Sequence, residues 1–349
     1  MSRVPDVSVV VAARDVAAYL PDTLAGLQSN ACTPDGPLVE AVVVDDGSTD
    51  DTPDLLAAAA LRYPWLRVLR HEQPAGLATA RRAGLAACTG RLLTFLDGDD
   101  WYGPGYLGGL VARMDELDVD VVRVDHIRVL GRRRTVVRAP EPRRNTRLDP
   151  RSGILPVDRT TMVDYPYQWA GIYRRSVYEA GLLQCHEDLL TAEDRPWVWR
   201  IHREVESYAV TDVVGVFYRR GVAGALTAVA DERQLHYLRA FEYVFTELAT
   251  DPEAELFHPK AVRTFCAIAA HHLAQSHRLA PELRRRHRAE VGLALRRLPG
   301  ESLAAAFRAI GVGRRALLVD AYDAESRRTS RRRLGPTRLL PIRVSLGRR

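Results

Sequence analysis

A chain of 349 residues, 46% of them hydrophobic, is long enough for two domains or for one large domain with an extension, and it can bury a substantial core. Its net charge of +6 rests almost wholly on arginine, Lys260 being the only lysine among 50 basic residues. That bias points to a GC-rich coding sequence more than to an anionic partner. The first residues lack a basic segment followed by a long apolar one, and no uncharged stretch reaches the length of a membrane span. The expectation is a cytoplasmic protein without a signal peptide, its basic tail the one feature suited to peripheral contact with the inner face of the plasma membrane. Cys32, Cys88, Cys185 and Cys266 are scattered, with no CxxC pair or zinc spacing, and read as reduced buried thiols.

Strand and helix patterns alternate through the first part of the chain. Residues 7–11 form a strand-length apolar run, and residues 17–27 are helical with Leu20, Leu24 and Leu27 on one face. A turn at Pro34-Asp35-Gly36-Pro37 leads to a strand over 39–44. Residues 48–53 resemble a helix cap with proline in the first turn, opening a helix through Leu61. A short strand at 66–69, a helix at 77–87, a strand at 92–96, a helix at 106–117 and a strand at 119–124 follow. Strands separated by helices of this length imply right-handed crossovers and a mostly parallel sheet.

The pattern changes at Gly131. Arg132, Arg133, Arg134, Arg138, Arg143, Arg144, Arg147 and Arg151 sit among prolines with few acids, which predicts an exposed, mobile segment, either a solvated loop or a lid that contacts phosphates. Order resumes near Pro156, with a helix over 195–203 and one or two strands within 208–218. From Asp231 onward the periodicity is helical, near 231–249, 259–277, 281–297 and 301–322. His258, His271, His272, His277 and His287 do not repeat the i, i+4 pairing of zinc helices and read as surface or packing residues. Residues 327–349 carry nine arginines and no acid; a disordered tail is expected, which could bind anionic lipid or a polyanion.

Two of the apolar runs end in acidic clusters. Ala41-Val42-Val43-Val44 stops at Asp45-Asp46-Gly47-Ser48, and Leu92-Leu93-Thr94-Phe95-Leu96 stops at Asp97-Gly98-Asp99-Asp100-Trp101. In an open parallel sheet the C-terminal strand ends border the ligand crevice. Carboxylates there face a ligand and not the core, because an unpaired buried charge is costly. Two of them one residue apart, with glycine between, can reach a divalent metal or ribose hydroxyls, which suggests a site for a metal-bound nucleotide.

The order of motifs resembles a family 2 glycosyltransferase with the GT-A fold. Val7 to Asp15 matches the opening strand and nucleotide-binding turn, and Val44-Asp45-Asp46-Gly47-Ser48-Thr49-Asp50 the second-strand motif. Gly76-Leu77-Ala78-Thr79-Ala80-Arg81-Arg82-Ala83-Gly84 is similar to the family's Gly-Leu-…-Ala-Arg-Asn-x-Gly helix, and Phe95 to Asp100 to its Asp-x-Asp segment. Thr191-Ala192-Glu193-Asp194, with Trp197 and Arg200, resembles the late Glu-Asp motif. The likeness covers roughly residues 5 to 225. It implies an α/β GT-A domain over 1–225, Rossmann-like with a mostly parallel sheet flanked by helices, then a helical extension over 226–326 and the basic tail at 327–349.

By the same resemblance, Asp99 is a metal ligand, with Asp97 contacting the ion, its water or the ribose, and Asp100 an alternative ligand. Ala12, Ala13, Arg14, Asp15, Asp45, Asp46 and Arg81 would serve the nucleotide sugar, with Arg219 or Arg220 on the diphosphate. Asp194 would be the general base, supported by Glu193. Capping of the following helix is the structural alternative for that pair. Trp101, Tyr102, Trp169, Trp197 and Trp199 could stack on sugars or fill the core. Two departures bear on donor identity: Ala12-Ala13-Arg14-Asp15 stands where relatives show Pro-x-Tyr-Asn, and Arg82 stands where asparagine is usual, so that Arg82 could add a phosphate contact.

The implied activity is inverting glycosyl transfer with Mn²⁺ or Mg²⁺, from a nucleotide diphosphosugar to a glycan, lipid-linked or small-molecule acceptor, in cell-surface polysaccharide, glycolipid or glycosylated-product synthesis. Nucleic acid is not an expected partner. A catalytically silent GT-A scaffold would lack some of Asp97, Asp99 and Asp194, and all three are present. A nucleotidyltransferase would carry a glycine-rich basic loop after the first strand, and a dinucleotide oxidoreductase a GxGxxG; residues 11–20 have neither.

Overall fold

The computed structural model describes residues 3–222 and 229–333, with side chains described through residue 324. Strands and helices alternate as β1 (Val7–Ala13), α1 (Leu20–Ala31), β2 (Val39–Asp46), α2 (Thr52–Arg62), β3 (Leu66–His71), α3 (Leu77–Ala87) and β4 (Leu92–Asp97). Then come β5 (Trp101–Tyr102), α4 (Tyr106–Leu117), β6 (Val121–Val124), β7 (His126–Leu130), β8 (Arg133–Val137), β9 (Gly171–Arg174), α5 (Arg175–Glu179), α6 (Asp194–Glu204), β10 (Tyr208–Thr211) and β11 (Val216–Arg220). Five further helices follow: α7 (His236–Leu248), α8 (Ala254–Gln275), α9 (Pro281–Arg297), α10 (Gly300–Ala309) and α11 (Val312–Arg333).

The apolar runs of β1, β2 and β4 are buried because helices cover the sheet, which is what an uninterrupted run of valine and leucine requires. The central sheet has the order β10-β6-β9-β4-β1-β2-β3. All its pairings are parallel except those of β9, which lies antiparallel between β4 and β6. Strand order reverses direction at β1, with β2 on one side and β4 on the other. The register sets Ala13 beside Asp45 and Ala12 beside Asp97. Both acidic clusters therefore open onto one crevice, at the switch point where ligands bind open α/β sheets. A second sheet, β5-β11-β7-β8, carries the residues that follow the Asp97 cluster.

The first compact unit spans Met1–Thr264, so α7 and the start of α8 belong with the sheets, beyond residue 225 where the sequence placed the end of the domain. Lys260 is buried in it, its ammonium 2.6 Å from Asp164 and 2.6 Å from the Arg159 carbonyl.

The arginine-rich stretch from 131 to 151 is exposed at most of its arginines, as expected, but it is tied into the fold by partners along its length. It starts with the β7–β8 hairpin. Arg143 then donates to Glu141 at 2.9 Å, Arg144 to Asp125 at 2.8 Å, and Arg151 pairs with Asp251 and Glu253. Leu148 bonds the backbone of Tyr208 in both directions. Some of these partners are distant in sequence, which local composition could not reveal. The arginines named serve internal carboxylates, as neither a solvated loop nor a phosphate lid would.

The second compact unit is Phe265–Arg349. Val291 and Leu295 of α9 and Leu318 and Ala321 of α11 are buried, and Arg288 lies 2.5 Å from Asp320. The single periodic segment expected over 301–322 is two helices broken near Gly311, a residue poor at continuing a helix. α11 runs on through Arg333, so the start of the tail expected to be disordered is helical, in keeping with the good helix propensity of arginine. The rest of the tail lies outside the described residues. His287 is a packing residue, buried, with its imidazole pushed down to about 4. Among the described residues no helix is long and apolar enough to cross a membrane. The four cysteines are free; Cys88 and Cys266 are buried, while Cys32 is exposed.

Candidate active site

The turns after β1 and β2 are stitched into one wall. Ser48 Oγ, Thr52 Oγ1 and Asp50 Oδ2 accept the backbone N–H groups of Asp15, Val16 and Ala17, each at 3.0 Å. Asp15, in the left-handed region at φ 51, answers by accepting the Thr49 N–H at 2.8 Å. This explains why α1 starts at Leu20 and not near residue 17: those N–H groups are already satisfied in a non-helical turn. It also gives the polar residues 48–52, read as a helix cap, a second duty. Ala13 is buried at the crevice floor, and Arg14 is exposed with Nε 3.6 Å from Asp15.

Asp45 and Asp46 divide their roles. Asp46 is consumed by the loop after β3, accepting His71 Nδ1 at 2.7 Å and the N–H groups of Ala75 and Gly76 at 2.9 and 2.8 Å. Gly47, at φ +70, lies so close to that loop that a Cβ would come 2.6 Å from Pro74 N. Asp45 accepts the Ser48 N–H at 3.0 Å through Oδ1, while its buried Oδ2 has no hydrogen-bond partner, Arg70 Nε lying 3.5 Å away. That oxygen is a free acceptor at the crevice.

The Asp97–Asp100 turn is braced from three sides. Gly98 N–H donates to Ala12 O at 2.9 Å, and a Cβ there would lie 3.0 Å from that oxygen. The Thr23 hydroxyl of α1 faces the Gly98 and Asp100 carbonyls at 2.9 and 2.7 Å. Arg219 supplies its N–H to Asp100 at 2.6 Å, its Nε to the Asp99 carbonyl at 2.8 Å and its Nη2 to Asp22 at 2.7 Å. With its guanidinium also over the Trp101 ring, Arg219 is engaged in holding this turn. Asp100 is fully buried with Oδ2 unpartnered.

Across the crevice, the N-terminus of α6 brings in Glu193 and Asp194. Arg81 of α3 joins the two sides, donating to Asp97 at 2.8 Å, to Glu193 at 3.3 Å and to Gln168 at 2.7 Å. The capping alternative is not realised, since Glu193 occupies the cap position with no side-chain capping bond. Its carboxyl is pushed up to about 7, first by burial and then by Asp194. Asp194 is also raised, burial outweighing Arg195 and Arg81. Their exposures separate them: the Glu193 side chain is 8% exposed and the Asp194 side chain 29%. Asp194 is the carboxylate that an incoming hydroxyl can reach.

Gln168 and Cys185 were not legible as site residues. Gln168 completes the Arg81 fork and donates to Cys185 at 2.9 Å, and burial pushes that thiol up to about 12. Nothing in the local sequence marks either. Arg82 turns away from the crevice to pair with Glu187. Arg220 is exposed; among the described residues it bonds the Tyr218 hydroxyl at 2.8 Å and lies over that ring. Trp197, Trp199 and Tyr102 are core, whereas Trp101 stacks on Phe217 with centroids 5.0 Å apart. Trp169 lies with Tyr167, Tyr218 and His126 in one aromatic group.

The residues present fit a divalent cation. Asp99 is pushed up to about 6 by burial and by Asp97, and Asp100 is raised by burial, Asp99 and Asp97. A bound cation would relieve that crowding. Among the described residues no three His, Cys, Asp or Glu side chains form a ready cage. Mg²⁺ or Mn²⁺ takes one or two carboxylates and completes its shell with water and substrate phosphates, and Asp97 and Asp99 are the pair that would supply them.

Comparison with known proteins agrees. The model of glycosyl transferase family 2 matches residues 8–181. The chain is 26% identical over 229 residues to the uncharacterized glycosyltransferase EpsJ of Bacillus subtilis, covering 65% of this chain and 64% of that protein. It is 37% identical over 131 residues to the succinoglycan biosynthesis protein ExoO of Rhizobium meliloti, covering 38% of this chain and 36% of that one. The chain thus spans less than two thirds of the length of either relative. Among solved structures, S. aureus TarS superposes with a TM-score of 0.67 at 20% identity, over 92% of this chain and 53% of that one. TarS 1–349 in complex with UDP-GlcNAc superposes at 0.66, with 18% identity, over 91% and 92%. A mannosyltransferase of Pyrobaculum calidifontis in complex with GDP-Man and Mn²⁺ gives 0.54 at 18% identity, over 93% and 88%. The fold is GT-A, and the chain belongs to glycosyl transferase family 2.

Proposed function

We propose that this chain transfers a sugar from a nucleotide diphosphosugar to an acceptor hydroxyl, with inversion at the anomeric carbon, in the making of a bacterial surface glycan. One observation carries the reading: Arg81 ties Asp97, at the switch point of the sheet, to Glu193 at the head of α6. Donor-side and acceptor-side carboxylates thereby face each other across one crevice. The named biosynthetic role of ExoO and the nucleotide sugars bound by TarS and the mannosyltransferase support the same class of reaction.

In this reading the base and ribose lie on the wall made by Ala12–Asp15 and Asp45, whose unpartnered Oδ2 accepts a ring N–H of the base. Asp46 shapes the loop after β3, where both its oxygens accept, and Arg219 holds the Asp97 turn through its backbone N–H, Nε and Nη2. Asp99 and Asp97 hold Mn²⁺ or Mg²⁺, which when bound neutralises charge on the departing diphosphate. Asp194 takes the proton of the attacking hydroxyl. Glu193, anchored by Arg81, fixes the start of α6 so that Asp194 stays aimed into the crevice. A single displacement by an external acceptor inverts configuration.

A panel of UDP- and GDP-sugars, followed for hydrolysis with Mn²⁺ and with chelator, tests this without knowledge of the acceptor. Metal-dependent release of nucleoside diphosphate from one donor is expected. Inertness toward every donor would favour a silent scaffold, and formation of nucleoside triphosphate and sugar 1-phosphate from a nucleotide sugar on addition of pyrophosphate would replace the reading with nucleotidyl transfer.

A further inference from the structure

Beside Asp194 lies an aromatic floor that the donor reading does not use. The rings of Tyr167 and Trp169 are 4.9 Å apart at 35°, and those of Trp169 and Tyr218 are 5.0 Å apart at 37°, with buried His126 packed edge-on against Tyr167 and Trp169. Tyr167 and Tyr218 are only half buried, so the floor has an open side. Burial pushes the Tyr167 phenol up; the charged groups acting on it next are Arg195, Asp194, Arg220 and Arg128. For Tyr218, after burial and Arg220, they are Asp97 and Asp100. Tyr167 precedes Gln168, which bonds Arg81, and Tyr218 precedes Arg219, which bonds the Asp99 carbonyl, so the floor adjoins both carboxylate clusters.

Its rim is cationic. In the parallel pairing of β11 with β7, Tyr218 stands beside Arg128 and Arg220 beside Leu130, and strand alternation puts Tyr218, Arg220, Arg128 and His126 on one face. Both arginines are exposed. Arg81, Arg82, Arg144 and Arg219 have found carboxylates. Among the described residues Arg128 has no ion pair, and Arg220 bonds the Tyr218 hydroxyl and lies over that ring. Arg195 has only its neighbour Asp194, at 3.8 Å. An apolar ring face beside unneutralised guanidinium groups fits a sugar or polyol that carries an anion, since aromatic faces take the ring and arginine forks take phosphate or carboxylate.

We propose that the acceptor is anionic, a sugar or polyol unit bearing a phosphate or carboxylate, with its ring against Tyr167 and Tyr218, which buried Trp169 backs, and its charge at Arg128 and Arg220. The assignment rests on the glycosyl-transfer reading and narrows it to one class of acceptor.

Binding of three ligands with one ring tests it: methyl β-glucoside, its 6-phosphate and methyl β-glucuronide, titrated calorimetrically into the full chain at low and high salt. At least one anionic ligand is expected to bind about tenfold more tightly than the neutral one, with the gap narrowing as salt rises. The phosphate and glucuronide arms tell the two anions apart. In Arg128→Gln/Arg220→Gln the gap closes while the neutral ligand binds as before. Equal affinity for all three ligands overturns the proposal, as does a gap that persists in the double variant. A double variant that loses UDP affinity but keeps the acceptor gap assigns these arginines to the donor and equally overturns it. Metal-dependent donor hydrolysis in the same preparation reads the parent proposal separately: hydrolysis without anion preference defeats only the acceptor assignment, and absent hydrolysis defeats the parent.

Discussion

Asp194 and Glu193 are adjacent, both raised, and unequal in access. Asp194→Asn keeps shape and removes the proton acceptor, so transfer should fall about 10²-fold or more with donor affinity little changed. Glu193→Gln should be milder, since an amide can still accept from Arg81. Near-wild-type transfer by Asp194→Asn, with nucleotide binding measured in parallel, would move the base elsewhere. The pH dependence follows from the same burial. A base must be ionised, and a pKa raised above the usual aspartate value means activity is lost on acidification sooner than for an exposed aspartate. The acid limb of transfer should therefore lie above pH 3.8 in the wild type. It should stay in place in Glu193→Gln, because Glu193, pushed up to about 7 by burial and by Asp194, is already neutral where Asp194 titrates. A limb that moves to lower pH in the variant would show that Glu193 is the acid that ionises first.

At the scale of elements, the site depends on how α6 and the Asp97 turn are held. Arg203 and Arg200 of α6 meet Asp251 and Glu247, at 2.8 Å for Arg203 with Asp251 and 2.7 Å for Arg200 with Glu247, and Arg151 joins at Asp251. Burial would raise Asp251, but the bonds from Arg151 and Arg203 outweigh it and bring the carboxyl from 3.8 down to about 2, a drop worth about 2 kcal/mol. That stability is present above about pH 4 and fades as pH falls toward 2. Asp251→Asn should accordingly cost about 2 kcal/mol or more by urea unfolding at pH 7, with the difference shrinking at acid pH. In the Asp97 turn, Gly98→Ala would push a methyl against the β1 backbone, displacing the aspartates and costing about 1–2 kcal/mol with weakened donor binding. Retained affinity and stability would show that the β1 backbone yields. Elements built on apolar period were legible: the bounds of α3 and α4 follow from their sequences as read. The start of α1 was not, because the N–H groups of residues 15–17 are satisfied by side chains from another turn. Nor was the order in 131–151, since several partners of its arginines lie far along the chain.

For the whole molecule, the residues of the crevice were legible as motifs and their division of labour was not. A strand-end aspartate reads the same whether it keeps one oxygen without a hydrogen bond, as Asp45 does among the described residues, or ties down a loop, as Asp46 does; only the β3–α3 loop packing against it decides. Arg219 likewise read as a diphosphate contact until its bonds to Asp22 and the Asp99 carbonyl placed it under the turn. In the proposed function those assignments converge on Asp99, the carboxylate that would hold the cation. The most direct measurement is nucleotide-sugar turnover by the wild type and by Asp99→Ala, each with Mn²⁺ and with chelator. The account expects turnover only in the wild type with metal, and metal-dependent nucleotide binding weakened in the variant. Turnover that survives chelation, or that Asp99→Ala leaves intact, would contradict it.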